Sequence, residues 1–314
     1  MKKLMKVLTV ISAVLAVIAA INRIIFFLAE LERKKKKSRG KIFEWKYGKI
    51  SYTVKGHGKP ILLVHGLDTG SSRAEWEASA DILSQNYMVY SVDLLGFGES
   101  QKPNLTYSSY LYSRLIADFI GNVIKQPVFA AACRGGAPVL LAACKLLPAG
   151  KVKKIVLVSP SHYYLNSYTN HRLLLKNLIK LPIIGTGIYN FINSKAVTAA
   201  MLKEYGYYNG DRVTADVVNR YYYPAHYGGA NAKLPAAYSF GGFLSADAER
   251  LAGEINIPIR CVAGGNDKPG LSFIKKLLQN NNNITVSIFQ NARALPHEEN
   301  PGSFTRTCRA FFGG

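Results

Sequence analysis

Apolar residues dominate the chain from position 7 to position 28, a run of 22 residues that only four polar side chains interrupt. An α-helix rises about 1.5 Å per residue, so a helix of this length spans the roughly 30 Å hydrocarbon core of a bilayer. The run therefore predicts a single-pass transmembrane helix that anchors the chain. Two alternatives stay open. One is a cleaved signal peptide with a basic start and a weak cleavage site, and the other is an amphipathic helix lying on the membrane surface.

Beyond position 42 the pattern changes to short strands that alternate with helical stretches. Residues 49–54 alternate between polar and apolar side chains, as in a half-buried strand, whereas residues 60–64 form a continuous apolar run that is typical of a strand buried on both faces. Further strands are predicted at 87–92, 128–132, 154–158, 257–263 and 285–289. Alternation of strands and helices predicts an α/β fold with a doubly wound, mostly parallel sheet.

The alternation stops after residue 159 and resumes near residue 254. The intervening segment is rich in Tyr, Asn, Leu and Gly and has a helical pattern. An insertion of this size between two sheet strands predicts a helical cap at about 160–254 that covers the site. We therefore divide the chain into an N-terminal membrane anchor with a basic, solvated linker (1–41) and one α/β domain (42–314).

Basic residues give the chain a formal net charge of +21, and residues 1–41 hold eleven Lys or Arg against two Glu. The densest basic run, residues 33–37, directly follows the apolar segment, which indicates contact with anionic lipid through residues 7–28 and this run. No nucleic-acid-binding motif accompanies the charge, so we predict no nucleic-acid partner. The more basic C-terminal flank favours a cytoplasmic catalytic domain. The pattern predicts no oligomeric state.

The cysteines and histidines show no metal-binding spacing. The four cysteines lack a CxxC pair and the six histidines lack an HExxH motif, which argues against zinc ribbons, thioredoxin-type redox sites and metalloprotease sites. Four cysteines in a chain of this length also do not form a disulfide framework. We predict no metal and no cofactor.

Candidate catalytic residues follow the predicted strands in a fixed order. Cys133 lies between a strand and a helix, where a helix N-terminus favours a thiolate. Asp267 and His297 follow two later strands, so His297 is expected to take the proton from Cys133 while Asp267 orients the imidazole. The backbone N–H groups of Leu67 and Arg134 are the expected oxyanion hole. A strained backbone is expected at Cys133, because small residues flank it.

Five motifs occur in the order of a known superfamily. They are His65-Gly66, an oxyanion motif; residues 93–100, a DxxGxGxS loop; residues 131–135, a nucleophile elbow; residues 264–267, an acid loop; and residues 297–301, a histidine loop. Together they resemble the cap-containing members of the α/β-hydrolase superfamily over about residues 42–314. The resemblance implies that fold and the order nucleophile, acid, histidine.

Two departures from the motif concern the elbow, where Ala131 replaces a glycine and Cys133 replaces the serine. Cysteine elbows resemble those of dienelactone hydrolases, polyhydroxyalkanoate synthases and some acyl-amino-acid transferases. The resemblance implies a hydrolase that cleaves an ester or thioester through an acyl-Cys133 intermediate. The apolar anchor and the aromatic cap add the expectation that the enzyme is held at a membrane and that its acyl substrate is lipophilic. An acyltransferase with the same intermediate is one alternative. The other is a non-catalytic, membrane-bound binding protein. The Arg134 side chain is expected either to contact a substrate carboxylate or to cover the pocket mouth.

Overall fold

The structure, a computed structural model, describes residues 1–35, 40–160 and 170–313. Residues 36–39 of the predicted linker and 161–169 of the predicted cap lie outside the described residues. The described chain forms one sheet of eight strands in the order β1-β2-β4-β3-β5-β6-β7-β8. The strands are β1 (Lys41–Trp45), β2 (Gly48–Lys55), β3 (Pro60–Val64), β4 (Met88–Val92), β5 (Val128–Cys133), β6 (Val152–Val158), β7 (Ile259–Gly264) and β8 (Ile284–Phe289).

The sheet is mixed. Strands β3 to β8 pair in parallel, whereas β1 pairs with β2 and β2 with β4 in antiparallel register. The predicted α/β fold with a mostly parallel sheet is thus confirmed. Every residue of β3 and β5 is buried, as continuous apolar runs predict. The sequence interpretation missed β1, because this edge strand is largely exposed and carries no clean apolar alternation.

Helices cover both faces of the sheet and form the insertion. They are α1 (Lys2–Lys35), α2 (Glu77–Leu83), α3 (Ser109–Phe119), α4 (Gly136–Lys145), α5 (Asn170–Lys180), α6 (Ile183–Ile192), α7 (Lys195–Met201), α8 (Ala215–His226), α9 (Lys233–Phe240), α10 (Ala248–Gly253), α11 (Lys268–Asn280), α12 (Pro296–Glu299) and α13 (Pro301–Phe312). One apolar core lies between the sheet and α3, α4, α10 and α11, and a second lies between the sheet and α2 and α13.

A helical cap, α5 to α9, is inserted between β6 and β7. The prediction of a helical cap is confirmed. The predicted end of the cap, at about residue 254, lies later in the chain than the end of the last cap helix. Helix α10, which lies before the predicted end at 254, packs on α4 and α11 of the main body. Ala248 and Ala252 of α10 are fully part of the main core, which explains the difference.

Helix α1 continues through residues 29–35, which the sequence interpretation assigned to a solvated linker. These residues are good helix formers, and ion pairs at i,i+3 spacing join Glu30 to Arg33 and Glu32 to Lys35. Ala29 is completely buried, so this end of the helix packs on protein. Helix α1 is long and apolar enough to cross a membrane, and within the described chain it packs on α6, on α8 and on the short 3₁₀ helix Gly229–Ala232.

Gly136 lies at the first turn of α4, where that helix approaches β3. A Cβ atom at this position would lie 2.3 Å from the carbonyl oxygen of His65. Relieving this clash would require the backbone to shift, which costs stability. We therefore expect Gly136→Ala to destabilise the protein by about 2 kcal/mol or more. Gly121→Ala is the matched control, since no atom lies within 4 Å of its added methyl group. Thermal unfolding of both variants tests the packing, and equal melting temperatures would contradict it.

Candidate active site

The turn between β5 and α4 carries the candidate nucleophile, but its strained residue is not Cys133. Cys133 is the last residue of β5, and the next residue, Arg134, has the left-handed backbone with φ of 45°. The expectation of a strained Cys133 is therefore wrong by one position. Side chains alternate along a strand, so Cys133 points to the same face as Ala131, toward α2 and α13.

The Cys133 thiol is completely buried and donates a hydrogen bond to Oε2 of Glu75 at 3.1 Å. Burial raises the pKa of the thiol well above its ordinary value, and the negative charge of Glu75 raises it further. Arg134 acts in the opposite direction but does not compensate. The thiol is therefore protonated in the structure as it stands, rather than poised as a thiolate.

The Arg134 side chain is held by two carboxylates, one of which, Glu75, also accepts the hydrogen bond of the Cys133 thiol. Its guanidinium is 3.2 Å from Glu75 and 3.1 Å from Asp68, and it donates to Oγ of Ser71 at 3.2 Å. The Arg134 amide donates to the carbonyl of Val158 at 2.9 Å and is thus already occupied, contrary to the expected oxyanion role. This amide continues the parallel pairing of β5 with β6, which is why it turns toward the sheet.

Leu67, the other expected oxyanion donor, stays a predicted site residue. A Cβ atom at Gly135 would be 3.5 Å from the Leu67 amide nitrogen, so the Leu67 and Gly135 backbones approach each other closely. His65 of the same motif has a structural role. Its Nε2 accepts a hydrogen bond from the Leu94 amide at 3.0 Å, which ties the loop after β3 to the loop after β4.

Glu75 is the charged residue that sequence reasoning missed. It lies in a short 3₁₀ helix, Arg73–Trp76, and is only 2% exposed. Burial would raise the pKa of this carboxyl, but Arg134, His65 and hydrogen bonds outweigh burial and hold the pKa below its usual value. One of these partners is the Gly66 amide, at 3.1 Å. No spacing in the sequence marks Glu75, because its burial depends on how the loop after β3 folds.

His297 lies on α12 and is completely buried. Its ring packs on Trp76 at a centroid distance of 4.3 Å, and neither ring nitrogen has a hydrogen-bond partner among the described residues. Burial lowers the pKa of the imidazole to about 3, so it is neutral near pH 7. Donor atoms of Glu75, Cys133 and His297 lie within 4.8 Å of one another. The structure thus brings Cys133 and His297 together.

The third predicted member, Asp267, makes no hydrogen bond with His297. Its carboxylate accepts a hydrogen bond from the Gly270 amide at 3.1 Å and so caps α11. Burial raises the pKa of this carboxyl, and hydrogen bonds from Gly270 and Ser159 act against the rise. In this structure the carboxylate beside the imidazole is therefore Glu75, and Asp267 stays a predicted site residue.

Contacts with the cap hold the loop that carries His297. Glu298 accepts hydrogen bonds from the hydroxyl groups of Tyr207 and Tyr221 and pairs with Arg220 at 2.9 Å. Burial raises the pKa of Glu298 to about 7. The position of the imidazole is therefore linked to two cap segments rather than to the sheet alone.

The DxxGxGxS loop is held by a charged network. Arg73 pairs with Asp93 and Glu99, and Oγ of Ser100 donates to the Asp93 carbonyl at 2.6 Å. Gly98 has a φ of 49°, and a Cβ atom there would lie 2.2 Å from the Asp93 carboxyl carbon. These contacts give Asp93 and Ser100 a role in stabilising the loop.

A cavity of about 520 Å³ lies beside this site rather than on it, and polar residues from the loop after β4 and from α8 line much of it. Its lining includes Arg73, Asp93 and Arg220, but not Cys133 or His297.

A metal ion would find thiol, imidazole and carboxylate donors in the Glu75, Cys133 and His297 cluster, which is the donor set that Zn²⁺ takes. The sequence-based expectation of no metal stays a prediction.

Comparison with known proteins identifies the architecture. The alpha/beta hydrolase family model matches residues 61–306. Among solved structures, a meta-cleavage product hydrolase from Pseudomonas fluorescens IP01 superimposes with a TM-score of 0.71 at 19% identity, covering 87% of this chain and 97% of its own. An esterase from Thermogutta terrifontis superimposes with a TM-score of 0.69 at 15% identity, covering 88% and 98%. At these identities the likeness shows the fold.

Two relatives share short stretches of sequence with the chain. A 2-hydroxy-6-oxo-6-(2'-aminophenyl)hexa-2,4-dienoic acid hydrolase of Metapseudomonas resinovorans is 37% identical over 70 residues, which are 22% of this chain and 24% of the relative. A pimeloyl-[acyl-carrier protein] methyl ester esterase of Aliivibrio fischeri is 37% identical over 51 residues, 16% and 19% respectively. The chain thus spans about a quarter or less of the length of these relatives.

Glu298 predicts a pH dependence of stability. Its pKa is about 7 in the folded chain, above the ordinary value of 4.5, so the folded state keeps a proton that the unfolded state loses between these pH values. Stability contributed by this group therefore falls as pH rises from about 4.5 to 7, by on the order of 3 kcal/mol in total. We expect Glu298→Gln to remove this fall. Denaturant unfolding of parent and variant from pH 4 to 8 measures the difference, and parallel profiles would refute the assignment.

Proposed function

The chain belongs to the alpha/beta hydrolase family, and we propose that it cleaves an ester or thioester of a lipophilic acyl compound through an acyl-Cys133 intermediate. The observation that carries the proposal is the clustering of the Cys133 thiol with the His297 imidazole and the Glu75 carboxylate within 4.8 Å. The cluster lies beyond the carboxyl ends of parallel strands, where α/β proteins place their reactive groups. The relatives' names support ester and carbon–carbon bond hydrolysis as the reaction class.

In the proposed reaction, the thiol proton passes to His297, whose ring nitrogens have no hydrogen-bond partner among the described residues. The sulfur attacks the acyl carbonyl, and the tetrahedral oxyanion lies against the amides of Leu67 and Gly135. Collapse of the intermediate expels the leaving group, which takes the proton from His297. Water then loses a proton to His297 and attacks the thioester, which releases the acid and restores the thiol.

Glu75 takes the electrostatic role that the motif assigns to Asp267. Its charge raises the pKa of His297 against the effect of burial, so it stabilises the imidazolium ion that forms during attack. The same charge disfavours a thiolate before substrate binds, so deprotonation and attack belong to one step.

Arg134 determines access to the thiol. Its guanidinium is paired with Asp68 and with Glu75, the carboxylate that binds the thiol, so we infer that an acyl group reaches the sulfur only after this ion pair rearranges. A carboxylate on the substrate can replace Asp68 or Glu75 as the negatively charged partner of the guanidinium. We therefore favour acyl substrates that also carry a carboxylate.

A second candidate function is binding without cleavage. The observation that favours it is the left-handed backbone of Arg134, since the strained turn of an α/β-hydrolase elbow normally exposes the nucleophile itself. If Arg134 occupies that place, the buried thiol is a packing residue and the fold is a membrane-associated receptor for an anionic acyl compound.

Intact mass spectrometry separates these candidates. The full chain is incubated in detergent with activated acyl esters and thioesters, some with a second carboxylate. We expect one acyl adduct on the parent and none on Cys133→Ala. Cys144→Ala is the matched control, because it removes a half-buried thiol on α4, and it should form the same adduct as the parent. An adduct on Cys133→Ala equal to that of the parent would overturn the mechanism. Thermal stabilisation by the acyl compound without any adduct would assign the binding function. Decay of the adduct with and without added amines distinguishes hydrolase from acyltransferase.

Paired substitutions test which carboxylate assists His297. Glu75→Gln removes the charge beside the imidazole and is expected to slow acylation by about 100-fold. Asp267→Asn keeps an oxygen for the Gly270 amide and is expected to acylate within a few-fold of the parent rate. The reverse ranking of the two rates would assign the role to Asp267 instead.

A further inference from the structure

The hairpin formed by α5 and α6 exposes large apolar side chains. Leu174 on α5 and Phe191 on α6 are 68% and 71% exposed, and Leu181 and Ile184 at the junction of the two helices are about half exposed. Contiguous apolar surface of this kind is unusual on a soluble protein and marks an interaction surface. Since the hairpin lies on the cap, it is far from the sheet cores that would otherwise bury it.

The hairpin is packed directly against α1. Nδ2 of Asn22 donates to the Ile183 carbonyl at 3.2 Å, and Nδ2 of Asn190 donates to Oδ1 of Asn22 at 2.8 Å. Gly187 allows close approach, because a Cβ atom there would lie 3.3 Å from Ile18 of α1. The apolar side chains of α1 before this contact are largely exposed, and that helix has the length and hydropathy to cross a membrane. Whatever covers α1 therefore continues onto α6.

The charge of the hairpin region selects the kind of partner. Residues 170–203 contain five Lys or Arg and no Asp or Glu. On α5 the basic residues Arg172, Lys176 and Lys180 recur at four-residue spacing beside leucines, and the ammonium groups of Lys176 and Lys180 lie 4.8 and 5.2 Å from the ring centroids of Phe243 and Tyr238. The net positive charge of the segment attracts an anionic bilayer, and the exposed leucines enter the acyl boundary.

We propose that the hairpin of α5 and α6 is inserted in the interfacial layer of an anionic bilayer beside α1, so that cap and N-terminal helix form one membrane-contacting surface. This inference goes beyond the proposed function and does not depend on the chemistry of Cys133. A second copy of the chain is the competing occupant of the hairpin, but the uniform positive charge of residues 170–203 opposes pairing of the surface with itself.

Tryptophan quenching by brominated lipid tests the proposal in the full chain. The native Trp45 and Trp76 are 7% and 0% exposed and give a low background. Leu174→Trp and Phe191→Trp report from the hairpin, and Ile288→Trp, 48% exposed on the edge strand β8, is the matched control. In phosphatidylcholine–phosphatidylglycerol vesicles with brominated acyl chains, we expect at least about twofold stronger quenching at both hairpin positions than at the control.

Lipid charge supplies a second readout. Replacing phosphatidylglycerol by phosphatidylcholine should weaken quenching at the hairpin positions while leaving the control unchanged, because α1 keeps the protein on the vesicles in both cases. Quenching at Leu174→Trp and Phe191→Trp that is no stronger than at Ile288→Trp would overturn the proposal. Hairpin emission that is shifted to the blue but insensitive to brominated lipid would overturn it in favour of a protein partner. Melting temperatures of the three variants, compared with the parent, show that each is folded.

Discussion

The buried ion pair of Glu75 and Arg134 sets the state of the other groups in the site. Each ion loses several kcal/mol of hydration on burial, and the loss is offset only by close, hydrogen-bonded partners. Glu75 has them in the Arg134 guanidinium and the Gly66 amide, and Arg134 has a further partner in Asp68. This arrangement keeps Glu75 ionised and the Cys133 thiol protonated, and it places the guanidinium on the same carboxylate that binds the thiol. The state of the proposed nucleophile thus depends on this ion pair.

Most of the fold follows from local pattern in the sequence. Continuous apolar runs identify β3 and β5 because strands buried on both faces have no polar side. The loss of alternation after β6 identifies the cap for a similar reason. The pattern does not reveal features that depend on tertiary contacts. The edge strand β1 has few buried residues, so it leaves no apolar alternation. The packing of Asn22 on α6 cannot be inferred from an apolar run that fits an isolated transmembrane helix equally well.

The sequence predicts which residues belong to the candidate site, but it does not predict which residue of the elbow carries the strained backbone. Cys133 is the last residue of β5, whereas Asp267 follows β7 and His297 lies on α12, after β8. The elbow motif tolerates a shift of one residue, however, because glycine or alanine occupies each flanking position. Only the backbone shows that Arg134 carries the left-handed turn and that its amide bonds to Val158. Glu75 could not be identified as a site residue from the sequence for another reason: a single glutamate in a loop is usually exposed to solvent.

The cap connects helix α1 to the imidazole. Helix α1 packs on α6 and α8, and α8 supplies Arg220 and Tyr221, both of which hold Glu298 beside His297. A displacement of α8 that breaks these contacts leaves a buried carboxyl without partners, which is costly, so α8 and the histidine loop move together or not at all. Tyr207 adds a second cap contact to the same carboxylate. The position of His297 is therefore determined both from the cap, through Glu298, and from the main body, where its ring packs on Trp76 and its carbonyl accepts a hydrogen bond from Ser79 at 2.8 Å.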